Sequence, residues 1–167
     1  VALITADLLL YSNLGGLESL GHAVFQTVSV SSTTAFVTAD FGQWPAFSQM
    51  LLLILMAIGD CAASTAGGIK VQRVALLFRI MYRQVYGLVH PRVVRTICVD
   101  GRRVEEPVLA NVSLYFFAYI MIIIVMAAAA SLDGHRLGTS LSAAIACVSK
   151  TGTGIELAGP TSTFNVF

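Results

Sequence analysis

The chain has 167 residues, of which 56% are hydrophobic and only 11% charged, and its mean hydropathy is +0.81. A soluble domain carries about a quarter of its residues charged, so this composition excludes a water-soluble globule and indicates a membrane protein. The net charge of +1 hides an asymmetry, because eight of the ten basic residues lie between Lys70 and Arg103, which argues against a dispersed nucleic-acid footprint, and no nucleic-acid partner is expected.

In chain order, residues 1–12 are apolar but too short to cross about 30 Å of hydrocarbon at about 1.5 Å per residue, and read as the end of a helix. The chain opens on Val without a basic segment ahead of it and stops after Phe167, so it reads as part of a longer polytopic protein. Residues 17–30 place Leu17, Leu20, Val24 and Val28 at helical spacing. The helix they predict is half the length of a span and runs into the hydroxyl cluster Ser29, Ser31, Ser32, Thr33 and Thr34. A half-helix followed by hydroxyls and small residues is a re-entrant shape. Trp44-Pro45 reads as an interface aromatic followed by a helix-starting proline. A short apolar helix over 46–58 then meets Gly59-Asp60-Cys61-Ala62-Ala63-Ser64-Thr65-Ala66-Gly67-Gly68. Glycines in a helix cost about 1 kcal/mol each against alanine, which predicts a helix broken at membrane depth, with its second part leaving the membrane through Arg73, Arg79 and Arg83.

His90-Pro91 ends that part, and Val99-Asp100-Gly101-Arg102, flanked by Ile97 and Val104, reads as a tight hairpin. Glu105-Glu106-Pro107 starts a helix with acids in its first turn, and 108–132 is apolar enough to span with tilt. A second short apolar helix, 137–149, ends in Lys150-Thr151-Gly152-Thr153-Gly154. The basic stretch 79–103 is cytoplasmic by the positive-inside rule and meets anionic lipid, so both half-helices dip in from outside.

The two half-helices share letters: Ser19-Leu20-x-x-Ala23 matches Ser140-Leu141-x-x-Ala144, and Val28-Ser29 matches Val148-Ser149 with a slip. This indicates an internal repeat. Irregular backbone survives at membrane depth only where it is buried in protein or lines water. Such a segment at the C-terminal dipole end of a half-helix suits a cation filter built from carbonyls. The filter backbone is expected at Ser32, Thr33, Thr34 and Ala35 and at Thr151, Gly152 and Thr153, beginning from Lys150. Neither a disulfide framework nor a zinc site is indicated by Cys61, Cys98 and Cys147, which read as small packing residues. His22, His90 and His135 read as structural. An intramembrane metal enzyme using Asp7, Asp40 or Asp60 is the competing class, but these carboxylates lie on separate elements. Asp7, Asp40 and Asp133 read instead as outer-surface acids that weakly enrich cations.

The stretches Ser32-Thr33-Thr34-Ala35-Phe36-Val37-Thr38-Ala39-Asp40-Phe41, Ser64-Thr65-Ala66-Gly67-Gly68-Ile69-Lys70, His90-Pro91-Arg92, Ser131-Leu132-Asp133-Gly134, Gly152-x-Gly154 and Gly159-Pro160 together resemble the membrane subunits of the Trk/Ktr/HKT potassium transporter superfamily, nearest its TrkH branch. The resemblance covers nearly the whole chain. It implies an all-α membrane fold of helix, re-entrant pore helix, filter and helix repeats. The third pore repeat would occupy 1–89 (pore helix 17–30, filter 31–38, broken second helix 45–89), a cytoplasmic connector 90–106, and the start of the fourth repeat 107–167 (transmembrane helix 107–132, pore helix 137–149, filter 150–154). It also implies that Gly59 to Gly68 is the gate loop, with Lys70 at its cytoplasmic edge. Further implications are potassium, or sodium, in the pore with no covalent cofactor, a multi-pass inner-membrane location, a homodimer, and a cytoplasmic nucleotide-binding regulatory subunit of TrkA/KtrA type.

Four positions depart from the family pattern. Ala35 stands where glycine is usual, Lys150 where the residue is usually uncharged, and Asp60 with Ala63 where the gate usually has glycine. Lys150 is expected to turn towards solvent or towards Glu156. Asp60 would pair with Lys70 or Arg73, or attract the permeating ion. A non-conducting or weakly selective monovalent-cation paralogue is therefore the alternative function.

Overall fold

A computed structural model describes residues 1–11, 15–90, 96–99, 102–132 and 136–154. Its helices are α1 (Ala2–Tyr11), α2 (Gly16–Ser31), α3 (Ala46–Ile58), α4 (Val71–Val89), α5 (Glu106–Ser131) and α6 (Leu137–Val148), with a 3-10 turn at Phe41–Gln43 between α2 and α3. Strands β1 (Cys98–Val99) and β2 (Arg102–Arg103) pair antiparallel, Cys98 opposite Arg103 and Val99 opposite Arg102. The amide of Val104 closes the ribbon by donating to the Ile97 carbonyl at 2.9 Å. The hairpin expected around Val99 is thus present in its strands, while Asp100 and Gly101 at its tip lie outside the described residues.

Helix α5 follows directly from its sequence. Pro107 sits in the first turn, where its missing N–H costs nothing, and 26 residues rise about 39 Å, enough to cross a bilayer with tilt. Among the described residues it is the one helix long and apolar enough to span, whereas α1, α3 and α6 are shorter apolar helices. Helices α1, α2 and α3 pack on one another, α3 and α5 pack on α6, and α4 lies along α5. Ile4 and Leu8 of α1, Ala23 and Val30 of α2, Phe41, Trp44, Leu52 and Met56, and Ala146 of α6 share one core. A smaller cluster of Ile80, Ile97 and Leu109 joins α4, the strand pair and α5.

Several expectations are corrected by this packing. Trp44 is buried in the main core and does not anchor at the interface, and Pro45 caps α3 from outside its first turn. The apolar stripe of α2 points outward: Leu17, Leu20, Val24 and Val28 are exposed, while Ser19, Ala23, Gln26 and Ser29 face inward. In a bilayer the surroundings are as apolar as a core, so hydropathy alone does not choose the buried face. Cys61, Cys98 and Cys147 are free and exposed, so none fills the core of this chain. Asp7 is buried, and its carboxylate accepts from the Ser48 amide at 3.1 Å and the Ser48 hydroxyl at 2.5 Å. It caps the first turn of α3, where the helix dipole favours a negative charge.

Candidate ion pathway

Helices α2 and α6 end in the same turn. At the end of α2 the amides of Thr33 and Thr34 donate back to Val30 and Ser29, and at the end of α6 those of Lys150 and Thr151 donate to Cys147 and Ala146. This is a Schellman closure, which requires a left-handed residue just past the cap. The residue is Thr33 in one case, at φ +55°, and Lys150 in the other, at φ +60°. Two residues further on, the backbone is left-handed again, at Ala35 (φ +66°) and at Gly152 (φ +83°). Alternating handedness turns successive peptide planes so that their carbonyls face one side, the arrangement a dehydrated cation needs.

The side chains repeat as well. The Ser32 hydroxyl donates to the Val28 carbonyl at 2.7 Å and contacts the Thr34 hydroxyl at 2.7 Å. The Ser149 hydroxyl donates to Ile145 at 2.6 Å and contacts the Thr151 hydroxyl at 3.1 Å. This register pairs Ser32 with Ser149, Thr33 with Lys150, Thr34 with Thr151 and Ala35 with Gly152. In it the counterpart of Ser140 is Ala23, not Ser19, so the letter match was displaced by four residues. A helix presents nearly the same face again after one turn, which is why a wrong register still matched letters.

Sequence reasoning missed what holds the segment that follows α2. His22, Gln26 and Ser29 form one stripe along α2, at the spacing of helical neighbours. His22 Nδ1 lies 3.0 Å from the Thr38 hydroxyl, Gln26 Nε2 donates to the Ala39 carbonyl at 3.0 Å, and the Ser29 hydroxyl donates to the Phe36 carbonyl at 2.6 Å. The spacing of His22, Gln26 and Ser29 along one face of the half-helix was the available signal. Asp40 then caps the 3-10 turn, accepting from the Gly42 amide at 3.0 Å and from Gln43 Nε2 at 3.2 Å.

The stretch from Gly59 to Gly68 contains no helix, and its neck is closed. The Ile69 and Lys70 amides donate to Ala57 and Ile58 at 3.0 and 2.7 Å, and the Val71 amide donates to Asp60 at 3.2 Å. Gly59, Gly68 and Lys70 all have positive φ. Lys70 does not pair with Asp60. Its ammonium donates into the loop, to the carbonyls of Ala62 at 3.0 Å and Ser64 at 2.8 Å. Arg73 does not reach Asp60 either, because its guanidinium stacks 4.2 Å above the Tyr115 ring. Tyr115 and Tyr119 of α5 donate to the carbonyls of Gly68 and Ala57, bracing both sides of the neck. Within the loop, Cys61, Ala62, Ala63 and Thr65 are exposed, and Ala66 is buried. The loop meets the second filter turn at Gly67, where an added Cβ would fall 2.0 Å from the Ser149 carbonyl oxygen.

Thr151 is 2% exposed, whereas Thr34 is open and lines a hollow of about 350 Å³ with Val28, Ser32 and Phe36. Lys150 is exposed. Its expected partner Glu156 lies outside the described residues, as do Asp133, His135, Pro91, Arg92 and Gly159-Pro160. Among the described residues no three His, Cys, Asp or Glu side chains gather to hold a metal. Asp7, Asp40 and Asp60 sit on separate elements, the first two already bonded to helix and turn amides.

Half-helices closed by left-handed turns, an irregular loop packed against one of those turns and a spanning helix beside them mark a membrane protein built on re-entrant half-helices. A family model described as "TrkH: Cation transport protein" matches residues 14–164, and the chain belongs to that family. The Trk system potassium uptake protein TrkH of Vibrio parahaemolyticus is 38% identical over 138 residues, covering 83% of this chain and 28% of that protein. TrkH of Escherichia coli K12 is 36% identical over 139 residues, covering 83% and 29%. The crystal structure of the potassium transporter TrkH from Vibrio parahaemolyticus superimposes with a TM-score of 0.86 at 35% identity, covering 94% of this chain and 34% of that one. The chain therefore spans less than a third of the length of the curated relatives it matches. The fold is the potassium-channel-like all-α membrane fold, with the short β1–β2 ribbon added on its connector.

Proposed function

We propose that this chain supplies two of the pore-lining repeats of a potassium uptake protein: the third repeat over 1–89 and the front of the fourth over 107–167, joined by a connector at 90–106. Ser32, Thr33, Thr34 and Ala35, with Thr151, Gly152 and Thr153, contribute filter carbonyls to one axis. Gly59 to Gly68 forms the gate, held by Lys70. Potassium passes down its electrochemical gradient, and no covalent cofactor takes part. The whole protein sits in the inner membrane as a homodimer, regulated by a cytoplasmic nucleotide-binding subunit docked near the basic connector.

The observation that carries this reading is the pair of matching turns with left-handed backbone at Thr33 and Ala35 and again at Lys150 and Gly152. The test is expression of the full-length gene in cells lacking potassium uptake. Growth at limiting potassium supports the reading, and no growth with the protein present in the membrane overturns it.

A second reading has its own support. A left-handed alanine stands in the first turn where the second has Gly152, and an exposed ammonium stands in the second turn where the first has Thr33, which suits a weakly selective or non-conducting paralogue. Failure of uptake that is rescued by Ala35→Gly together with Lys150→Asn selects this second reading.

A further inference from the structure

The turns that close α2 and α6 each carry two left-handed residues, and the structure holds them differently. In both turns the first of the two is fixed by backbone alone. Thr33 lies between the bond from its own amide to Val30 and the bond from the Thr34 amide to Ser29, and Lys150 lies between the matching bonds to Cys147 and Ala146. The second left-handed residue is Ala35 in one turn and Gly152 in the other. Glycine adopts its φ of +83° without steric penalty. Ala35, at φ +66°, carries that penalty, and backbone strain persists only where its surroundings over-determine it.

Ser29 supplies that constraint. Its carbonyl accepts from the Thr34 amide at 2.9 Å, and its hydroxyl donates to the Phe36 carbonyl at 2.6 Å. One buried residue in the last turn of α2 therefore grips the chain on both sides of Ala35. In the register that pairs Ser32 with Ser149, the counterpart of Ser29 is Ala146. The Ala146 carbonyl repeats the near half of the grip, taking the Thr151 amide at 3.0 Å and the Gly152 amide at 3.3 Å, but a methyl group stands where Ser29 has its hydroxyl. The molecule thus contains its own comparison. Alanine in the turn goes with serine in the half-helix, and glycine in the turn goes with alanine in the half-helix.

We propose that Ser29 is a positioning residue for the first filter segment: its paired bonds hold Ala35 left-handed, a conformation that glycine reaches unaided at 152. This rests on the reading of Ser32 to Ala35 as filter backbone. Without the Ser29 hydroxyl, Ala35 relaxes out of the left-handed region, the peptide planes on either side of it turn, and the carbonyls of Thr34 and Ala35 leave the axis. With glycine at 35 the same backbone is unstrained, and the hydroxyl becomes dispensable.

The full-length protein carrying Ser29→Ala, Ala35→Gly or both is expressed in cells lacking potassium uptake, and potassium is measured against sodium in competitive uptake. Amide hydrogen exchange over 33–39 is followed on the purified proteins. Ser29→Ala alone should lower potassium discrimination by about tenfold, the ratio set by the left-handed penalty of alanine, and should speed exchange. Adding Ala35→Gly to Ser29→Ala should recover most of both. Equal losses from Ser29→Ala in the alanine and glycine backgrounds overturn the proposal, because Ser29 would then act only through general packing. Should Ser29→Ala fail to reach the membrane, accumulation of the double variant supports the proposal and its failure overturns it. A parent protein that carries no potassium overturns the proposed function instead, and hydrogen exchange, which needs no conduction, then decides the role of Ser29 by the same comparison.

Discussion

Gly67 lies flat against the carbonyl of Ser149, joining the irregular loop after α3 to the turn that closes α6. Nothing larger than hydrogen fits there, and because the obstacle is backbone at the closing turn of α6, neither side yields easily. A loop that moves must therefore disturb the turn that holds Thr151, and a change in that turn must push on the loop.

Gly67→Ala is expected to destabilise the whole protein by about 1–3 kcal/mol, as overpacking does, and to depress potassium uptake by distorting Thr151. Gly152→Ala provides the contrast. An added Cβ there meets nothing within 4 Å, but φ is +83°, so only the conformational cost of about 1–2 kcal/mol applies. Thermal unfolding in detergent and uptake rates measured on both variants check the difference. Equal uptake by Gly67→Ala and the parent would refute the coupling.

Ala35 carries a left-handed φ of +66° without being glycine. Ala35→Gly should stabilise the first filter turn by up to about 1–2 kcal/mol, offset in part by the greater freedom of glycine in the unfolded chain. It should also sharpen discrimination of potassium from sodium. Competitive uptake with both ions measures the second effect.

Gln26 is fully buried and holds the Ala39 carbonyl. Gln26→Leu leaves that carbonyl without its donor and is expected to cost about 1–3 kcal/mol, loosening the segment between Phe36 and Ala39. Faster amide hydrogen exchange over 33–39, with exchange in α5 unchanged, is the expected signature.

Lys150 carries its charge at the edge of the second turn. At about 8 Å from a bound cation and an effective dielectric of about 20, the repulsion is about 2 kcal/mol. Lys150→Gln is therefore expected to raise initial potassium uptake by up to about 30-fold at low external potassium. The gain should shrink as ionic strength rises, because the side chain is exposed and its field is screened. An unchanged rate would place the ammonium away from the ion path.

Asp7 accepts two hydrogen bonds from Ser48 at the start of α3. Asp7→Asn should lower stability by about 1–2 kcal/mol through the lost charge-assisted bonds and dipole contact. The dependence of uptake on external potassium should stay the same. A shifted potassium dependence would restore the idea that Asp7 gathers cations.

Much of the layout was legible in the residues. Half-length apolar helices before Ser29 and Lys150, the glycine run from Gly59 and the 26-residue apolar stretch behind Pro107 each announce their element, because helix length, backbone freedom and apolarity are local properties. The stripe of His22, Gln26 and Ser29 was visible at helical spacing, but its meaning depends on where the chain returns, and Phe36 to Ala39 supply acceptors only once the turn at Thr33 has been made. The partners of Lys70 were likewise invisible. A pairing with Asp60 looks natural on charge alone, yet the closed neck of the loop presents bare carbonyls to the ammonium first.

By itself the sequence determined the membrane class, the order of short and long helices and the positions where the helices must break. All of these follow from composition and local backbone preference. Only the tertiary structure decided the register of the two filter turns, the inward polar face of α2 and the contact of Gly67 with Ser149. Those depend on which surfaces meet, and in a bilayer an apolar surface satisfies lipid and protein alike, so steric fit and the pairing of polar groups settle what hydropathy leaves open.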